Sequence, residues 1–377
     1  MKRLGCLLAF LVATYFSLSG APADLSPMLG EVLGHHNVPA LACAVIRSNM
    51  VVAEGVMGVR QAGDPTPAEL GDLWHHGSNT KSMTATLAAL LVEEGKIAWT
   101  NTLADVFPAE AAKMDPDWRG VTLEWLLGHR GGAPDQDWLG QHGLWVKFWD
   151  APGSPSDQRR WLREAVTALP PQNKPGTKFV YSNTGYILAG TMLEARTGKD
   201  WEQLITERLF RPLGMKTAGF GAPGTAAKVD QPRGHNLDLF KRLKPVPPGP
   251  RGDNPPGLGP AGTVHCSLDD LAKYVMAHVN GELGRDTPLK LRPESWHKLH
   301  TALAGQDYAL GWSVTQRGWA GGTALSHTGS NTMWFSNMWL APQRDFAVII
   351  LTNVGGDDAF KATDEVASKV IGEYLEK

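Results

Sequence analysis

Apolar and polar positions follow two different rhythms along this chain. Residues 41–47 (LACAVIR) and 50–53 (MVVA) are short apolar runs on either side of Ser48-Asn49, a pair suited to a tight turn, and they predict a hairpin. NMWLAP and FAVIILTN, near the other end, predict two more strands joined by a polar turn at Gln343-Arg344-Asp345. The run SNTKSMTATLAALLVEE, from Ser78 to about Glu94, is rich in helix formers and stops at Gly95, which predicts a buried central helix. Further helical stretches are expected near 121–127, 158–169, 184–197 and 200–209, and an amphipathic helix over about 360–375. The Pro/Gly-rich stretch 244–261, KPVPPGPRGDNPPGLGPA, reads as a linker. The two ends, 24–105 and 261–377, thus predict one discontinuous sheet-plus-helix domain, and 106–260 a mostly helical insertion. The site is expected at their junction.

Composition narrows the class. With 42% hydrophobic and 20% charged residues in 377, the chain can bury a large core and is not compositionally disordered. Its first residues, MKRLGCLLAFLVATYFSLSGAPAD, set Lys2 and Arg3 before an apolar run and Ala21-Pro22-Ala23, the pattern of a signal peptide cleaved near Ala23. That predicts a periplasmic or secreted protein. The run is short of the roughly 20 residues a membrane-spanning helix needs. Loss of Lys2 and Arg3 takes the formal charge from −2 to −4, which argues against a nucleic-acid surface or a polybasic membrane patch. The expected partner is therefore a small molecule. Once Cys6 leaves with the leader, Cys43 and Cys266 remain, either as one disulfide or as two buried thiols. No metal or other cofactor is expected, since His35-His36 and His75-His76 lack further ligands at metal spacing.

Three short segments could carry chemistry. Ser78-Asn79-Thr80-Lys81 opens the central helix, and a spacing of three places Ser78 and Lys81 on one face. A lysine whose pKa is lowered by burial can take the proton of a serine hydroxyl, and the helix N-terminus offers N–H groups to a developing oxyanion. Alone, the same residues fit a capping serine and a surface lysine. Tyr181-Ser182-Asn183 precedes a helix, so Asn183 is either a cap or an amide that aligns substrate and lysine, with Tyr181 as acid or base. His327-Thr328-Gly329 lies just before the terminal strands, where a strand edge can bind an extended acyl group.

In this order, the three segments resemble the motifs of the serine β-lactamase and penicillin-binding protein superfamily: Ser-x-x-Lys, Tyr-x-Asn and Lys-Thr-Gly. Tyr-x-Asn resembles the class C β-lactamase branch, with its esterases and D-amino-acid-specific peptidases. HHGSNTKSMTATLAALLVEEGKI, TLEWLLGHRGG, PGTKFVYSNTGYILAG and GPAGTVHCSLDDLAKYV look like family segments in family order. The resemblance implies an α+β fold, a β-lactamase/transpeptidase-like antiparallel sheet flanked by helices. It implies that Ser78 is acylated, that Lys81 and Tyr181 exchange its proton, and that Ser78 and Ser330 N–H groups form the oxyanion hole. Asn183, His327, Thr328, Gly329 and Ser330 would contact substrate. His327 departs from the family lysine and replaces a fixed cation with a side chain mostly neutral at pH 7, which favours an ester or unusual amide substrate. A class C-type β-lactamase, a D-aminopeptidase or DD-carboxypeptidase, and an acylated but non-catalytic sensor domain stay open. Trp138, Trp145, Trp149 and Trp161 would either wall an acyl pocket or form the core of the insert, and His129 looks structural.

Overall fold

The computed structural model describes residues 21–376. Residues 1–20, which hold most of the segment 1–23 read as a leader, lie outside the described residues. A seven-stranded sheet is formed by β1 (Ala23–Asp24), β2 (Ala40–Arg47), β3 (Met50–Gly58), β4 (Ser313–Arg317), β5 (Gly322–Ser330), β6 (Phe335–Ala341) and β7 (Phe346–Thr352). Their order is β1-β3-β2-β7-β6-β5-β4, so strands from both ends of the chain meet at the β2–β7 pair. All neighbours are antiparallel except β1, which runs parallel to β3 through Ala23↔Ala53 and Asp24↔Glu54. The expected antiparallel sheet is therefore mixed at one edge, and its pairing reaches one residue into the segment read as leader. Ser48 and Asn49 both take positive φ, at 49° and 61°, as the two-residue turn of the β2–β3 hairpin demands.

The period of two along the strands divides two hydrophobic layers. Leu41, Cys43, Val45, Val348 and Ile350 face α1 (Ser26–Leu33) and the C-terminal helix, while Ala42, Ala44, Ile46, Ile349 and Leu351 face the central helix side. The central helix, α2 (Thr80–Glu93), is buried nearly all round, which is why its sequence shows little amphipathic contrast. Met83 and Leu87 are fully buried, each contributing about 1.5–3 kcal/mol by removal from water. Gly95 at φ 68° ends this helix in the left-handed conformation that glycine adopts without strain.

The middle of the chain packs helices against α2. Ser182 caps α3 (Asn183–Thr197) by accepting from Gly185 N–H, and Ser154 with Asp157 forms a capping box on the helix Pro155–Thr167. One hydrophobic cluster runs without a break from the sheet face through α2 to Leu126, Leu162, Tyr186 and Leu204. The remaining long helices are α4 (Leu268–Glu282) and α5 (Asp357–Leu375).

The segment 244–261 is not a free linker. Leu243–Val246 pairs with Gly234–Leu237, and residues 257–262 are buried as a short 3₁₀ turn and helix against α2 and α3. Its glycines and prolines serve close approach: a Cβ on Gly190 would stand 2.5 Å from the Pro260 ring. Cys43 and Cys266 are buried free thiols in different hydrophobic clusters, which leaves no disulfide between them. Among the described residues no helix is long and apolar enough to cross a membrane, and no group of His, Cys, Asp and Glu is placed to hold a metal ion.

Candidate active site

Ser78 sits in a single 3₁₀ turn, Gly77–Asn79, that runs straight into α2. One turn on, Lys81 is fully buried, and its Nζ lies 2.9 Å from Ser78 Oγ, 2.7 Å from Asn183 Oδ1 and 2.8 Å from the Ala261 carbonyl. All three partners are neutral, so no carboxylate offsets the loss of hydration. Burial accordingly holds the Lys81 pKa well below the ordinary lysine value. In the neutral amine, the Asn183 and Ala261 oxygens accept the two N–H groups, which turns the lone pair toward Ser78. That is the geometry of a base for the serine hydroxyl.

Tyr181 stands beside the same amine, its ring centroid 4.8 Å from Lys81 Nζ. The residue is 39% exposed, yet burial of its phenol raises the pKa more strongly than the nearby Ser78 hydroxyl lowers it. At neutral pH it therefore carries its proton. His129 supports this tyrosine: the rings are 4.4 Å apart, and His129 Nδ1 accepts from Ser182 N–H at 3.1 Å.

The end of β5 closes the third side. Strand alternation turns His327 and Gly329 inward and leaves Thr328 and Ser330 exposed. His327 is buried, with Nδ1 3.1 Å from Asn79 Oδ1 and Nε2 3.1 Å from Tyr308 OH. Burial first, and the charge of Lys81 second, lower its pKa to about 3. His327 is thus a neutral brace between the Gly77–Asn79 turn and Tyr308, and it does not reach the cavity wall. Gly329 is fixed by proximity, since a Cβ there would stand 2.9 Å from Ser78 N and 2.8 Å from Asn79 N. Gly77, at φ 49°, would bring a Cβ to 2.5 Å from Ser330 N. These approaches set the backbone of Ser330 beside that of Ser78.

A cavity of about 340 Å³ opens over this cluster, lined by Ser78, Asn183 and Ser330 on one part and by Gln136, Trp145 and Trp149 on another. Trp145 and Trp149 wall the cavity, whereas Trp138 stacks on His142 at 3.7 Å and Trp161 packs against the core. Sequence reading missed the Ala261 carbonyl, Asp253 and Asn331, which also line the cavity. A backbone carbonyl leaves no mark in side-chain pattern, and Asp253 was hidden in the segment read as linker.

The order of motifs and this geometry coincide with one known family. The Beta-lactamase family model matches residues 25–371. The chain belongs to the Beta-lactamase family. That membership, with hydrolases among its relatives, makes it a serine hydrolase of the β-lactamase fold. It is 26% identical over 334 residues to Penicillin-binding protein 4 of Amycolatopsis lactamdurans, covering 86% of this chain and 83% of that one. It is 25% identical to the Unguisins hydrolase ungD' of Aspergillus campestris, with 89% of this chain but 62% of that longer protein covered. Among solved structures, the octameric penicillin-binding protein homologue from Pyrococcus abyssi superposes with a TM-score of 0.70 at 25% identity, over 93% of this chain and 78% of the other. D-amino acid amidase from Ochrobactrum anthropi gives 0.72 at 20% identity over 93% and 98%, a likeness of fold.

Proposed function

We propose that this protein is an exported acyl-enzyme hydrolase of small amide, peptide or ester substrates. Ser78 is the nucleophile, Lys81 its base and Tyr181 the proton donor to the leaving group. The observation that carries this reading is Lys81, fully buried with three neutral partners, one of them Ser78 Oγ at 2.9 Å. The Ser78 proton passes to Lys81 Nζ as Oγ bonds to the substrate carbonyl carbon, and the resulting oxyanion lies between the N–H groups of Ser78 and Ser330. Tyr181 gives its proton to the departing amine or alkoxide as the tetrahedral intermediate collapses to the acyl-enzyme. The tyrosinate so formed takes a proton from water, whose hydroxide attacks the acyl carbon. Lys81 then returns the first proton to Ser78.

Amide and peptide chemistry is supported by the relatives described as a hydrolase of unguisins and as a putative D-alanyl-D-alanine carboxypeptidase. The uncharged His327 and the walls of Trp145 and Trp149 favour an acyl group that is apolar over one that needs a fixed cation at that strand. Small molecules are the partners this cavity fits, and the N-terminal leader pattern supports export to the periplasm or beyond. Intact-mass spectrometry after brief exposure to a fluorophosphonate, and separately to a penicillin, tests the reading. One adduct that disappears in Ser78→Ala is expected. Adducts that persist in that variant would overturn the assignment, and a penicillin adduct that never turns over would favour an acylated sensor.

A further inference from the structure

Beyond the nucleophile and its base, the cavity holds one buried carboxylate that the mechanism leaves unused. Asp253 Oδ2 lies 2.8 Å from His75 Nε2, and Asp253 Oδ1 accepts from Asn331 Nδ2 at 2.7 Å. All three side chains are buried. His75 Nδ1 accepts the backbone N–H of Gly77 at 3.1 Å, so that ring nitrogen carries no proton and Nε2–H donates to Asp253. Asn331 Oδ1 in turn accepts from Met333 N–H at 3.2 Å. A single carboxylate therefore holds the residue before Ser78, through His75, and the residue after Ser330 directly. Each adjoins one of the two residues, Ser78 and Ser330, whose N–H groups the proposed function uses.

We propose that Asp253 is a positioning residue that sets the spacing of the oxyanion site. The inference rests on the Ser78–Ser330 reading given above. Two features of the surroundings agree with it. Gly77 and the end of β5 already approach to contact distance, so a small displacement on either side moves a donor. The Asn331 turn has no slack of its own: Thr332 takes φ 75°, and Ser330 Oγ is bonded to the Trp334 carbonyl at 2.6 Å and to Thr332 N–H at 2.9 Å. The other ties of the Gly77–Asn79 turn run elsewhere, from Asn79 to Ser336 and to His327, and Asp253 adds a link to the Asn331 turn itself. Asp253 bonds to neither Ser78 nor Lys81, so its link to the nucleophile and its base runs through the backbone it places.

Asp253→Asn keeps the shape but has one oxygen to serve two donors, so one arm of the clamp is lost. The test measures kcat, KM and affinity for an aryl boronate, which forms a tetrahedral adduct on serine. Rates are normalised to the fluorophosphonate-titratable fraction, which removes any loss through misfolding. We expect kcat to fall about 10- to 100-fold, less than the roughly 10²–10³ of outright donor loss. KM should stay within about threefold, and boronate affinity should fall in parallel with kcat. Asn331→Ala, which cuts the arm to Ser330 alone, should show a similar split and be non-additive with Asp253→Asn. Unchanged kcat and boronate affinity in both variants, or losses confined to KM, would overturn the clamp. Wild-type protein that never labels at Ser78 would instead overturn the proposed function.

Discussion

His327 makes a sharp test of how the catalytic layer is built, because its neutrality is enforced by packing. Its Nδ1–H serves Asn79 Oδ1 and its Nε2 receives Tyr308 O–H, so a second proton has no acceptor and meets the charge of Lys81. The folded pKa of about 3 lies below the unfolded 6.5. The unfolded chain therefore binds the proton first, and stability is complete above about pH 6.5 and declines as pH falls toward 3. With those two values, the loss between pH 8 and pH 5 is about 2 kcal/mol for this one side chain. His327→Gln retains a donor and an acceptor but cannot titrate. Urea unfolding of both proteins at pH 8, 6.5 and 5 should show the variant weaker at pH 8, and losing about 2 kcal/mol less than wild type on acidification. His76, also held at a pKa of about 3 by burial, titrates equally in both and cancels. Parallel pH profiles would refute the argument, since they would mean that the His327 environment tolerates the charge.

Other outcomes follow from the same geometry. Lys81→Met should leave the fold intact and slow acylation by about 10²–10⁴-fold, read by stopped-flow with a chromogenic ester. In the wild-type protein the acylation rate should rise with pH through the lowered Lys81 pKa and be flat above it, because only the free amine accepts the serine proton. Gly77→Ala forces a side chain into φ 49° and against Ser330 N, straining the backbone by about 1–3 kcal/mol and lowering kcat more than KM. Arg159 is fully buried between Glu194 and Glu202, and Arg159→Met should cost about 3 kcal/mol by urea unfolding, at the lower end of the usual range because Glu202 is 23% exposed.

How much of this was written in the sequence differs from element to element. The β2–β3 hairpin, α2, the last two strands and the C-terminal helix follow from local rhythm and turn chemistry, because each is decided by neighbours within a few residues. Ser78 and Lys81 face each other for the same reason: three residues along a helix is a fixed distance. Tyr181 and Asn183 were legible as candidates through family order, but their approach to Lys81 across about a hundred residues was not. The segment 244–261 was misread, because glycine and proline mark loops in one setting and close packing in another, and only the partner surface distinguishes them.

The chain by itself determined that Ser78 and Lys81 share a face at the start of α2, and the succession of strands and helices, all of them properties of local spacing. Tertiary structure alone decided that the partners of Lys81 among the described residues are neutral, that His327 turns inward, that the Ala261 carbonyl joins the lysine's shell, and that Asp253 links His75 to Asn331. Burial and hydrogen-bond partnership depend on which distant residues close around a group, and the free energy of a charge or a proton is set by that enclosure.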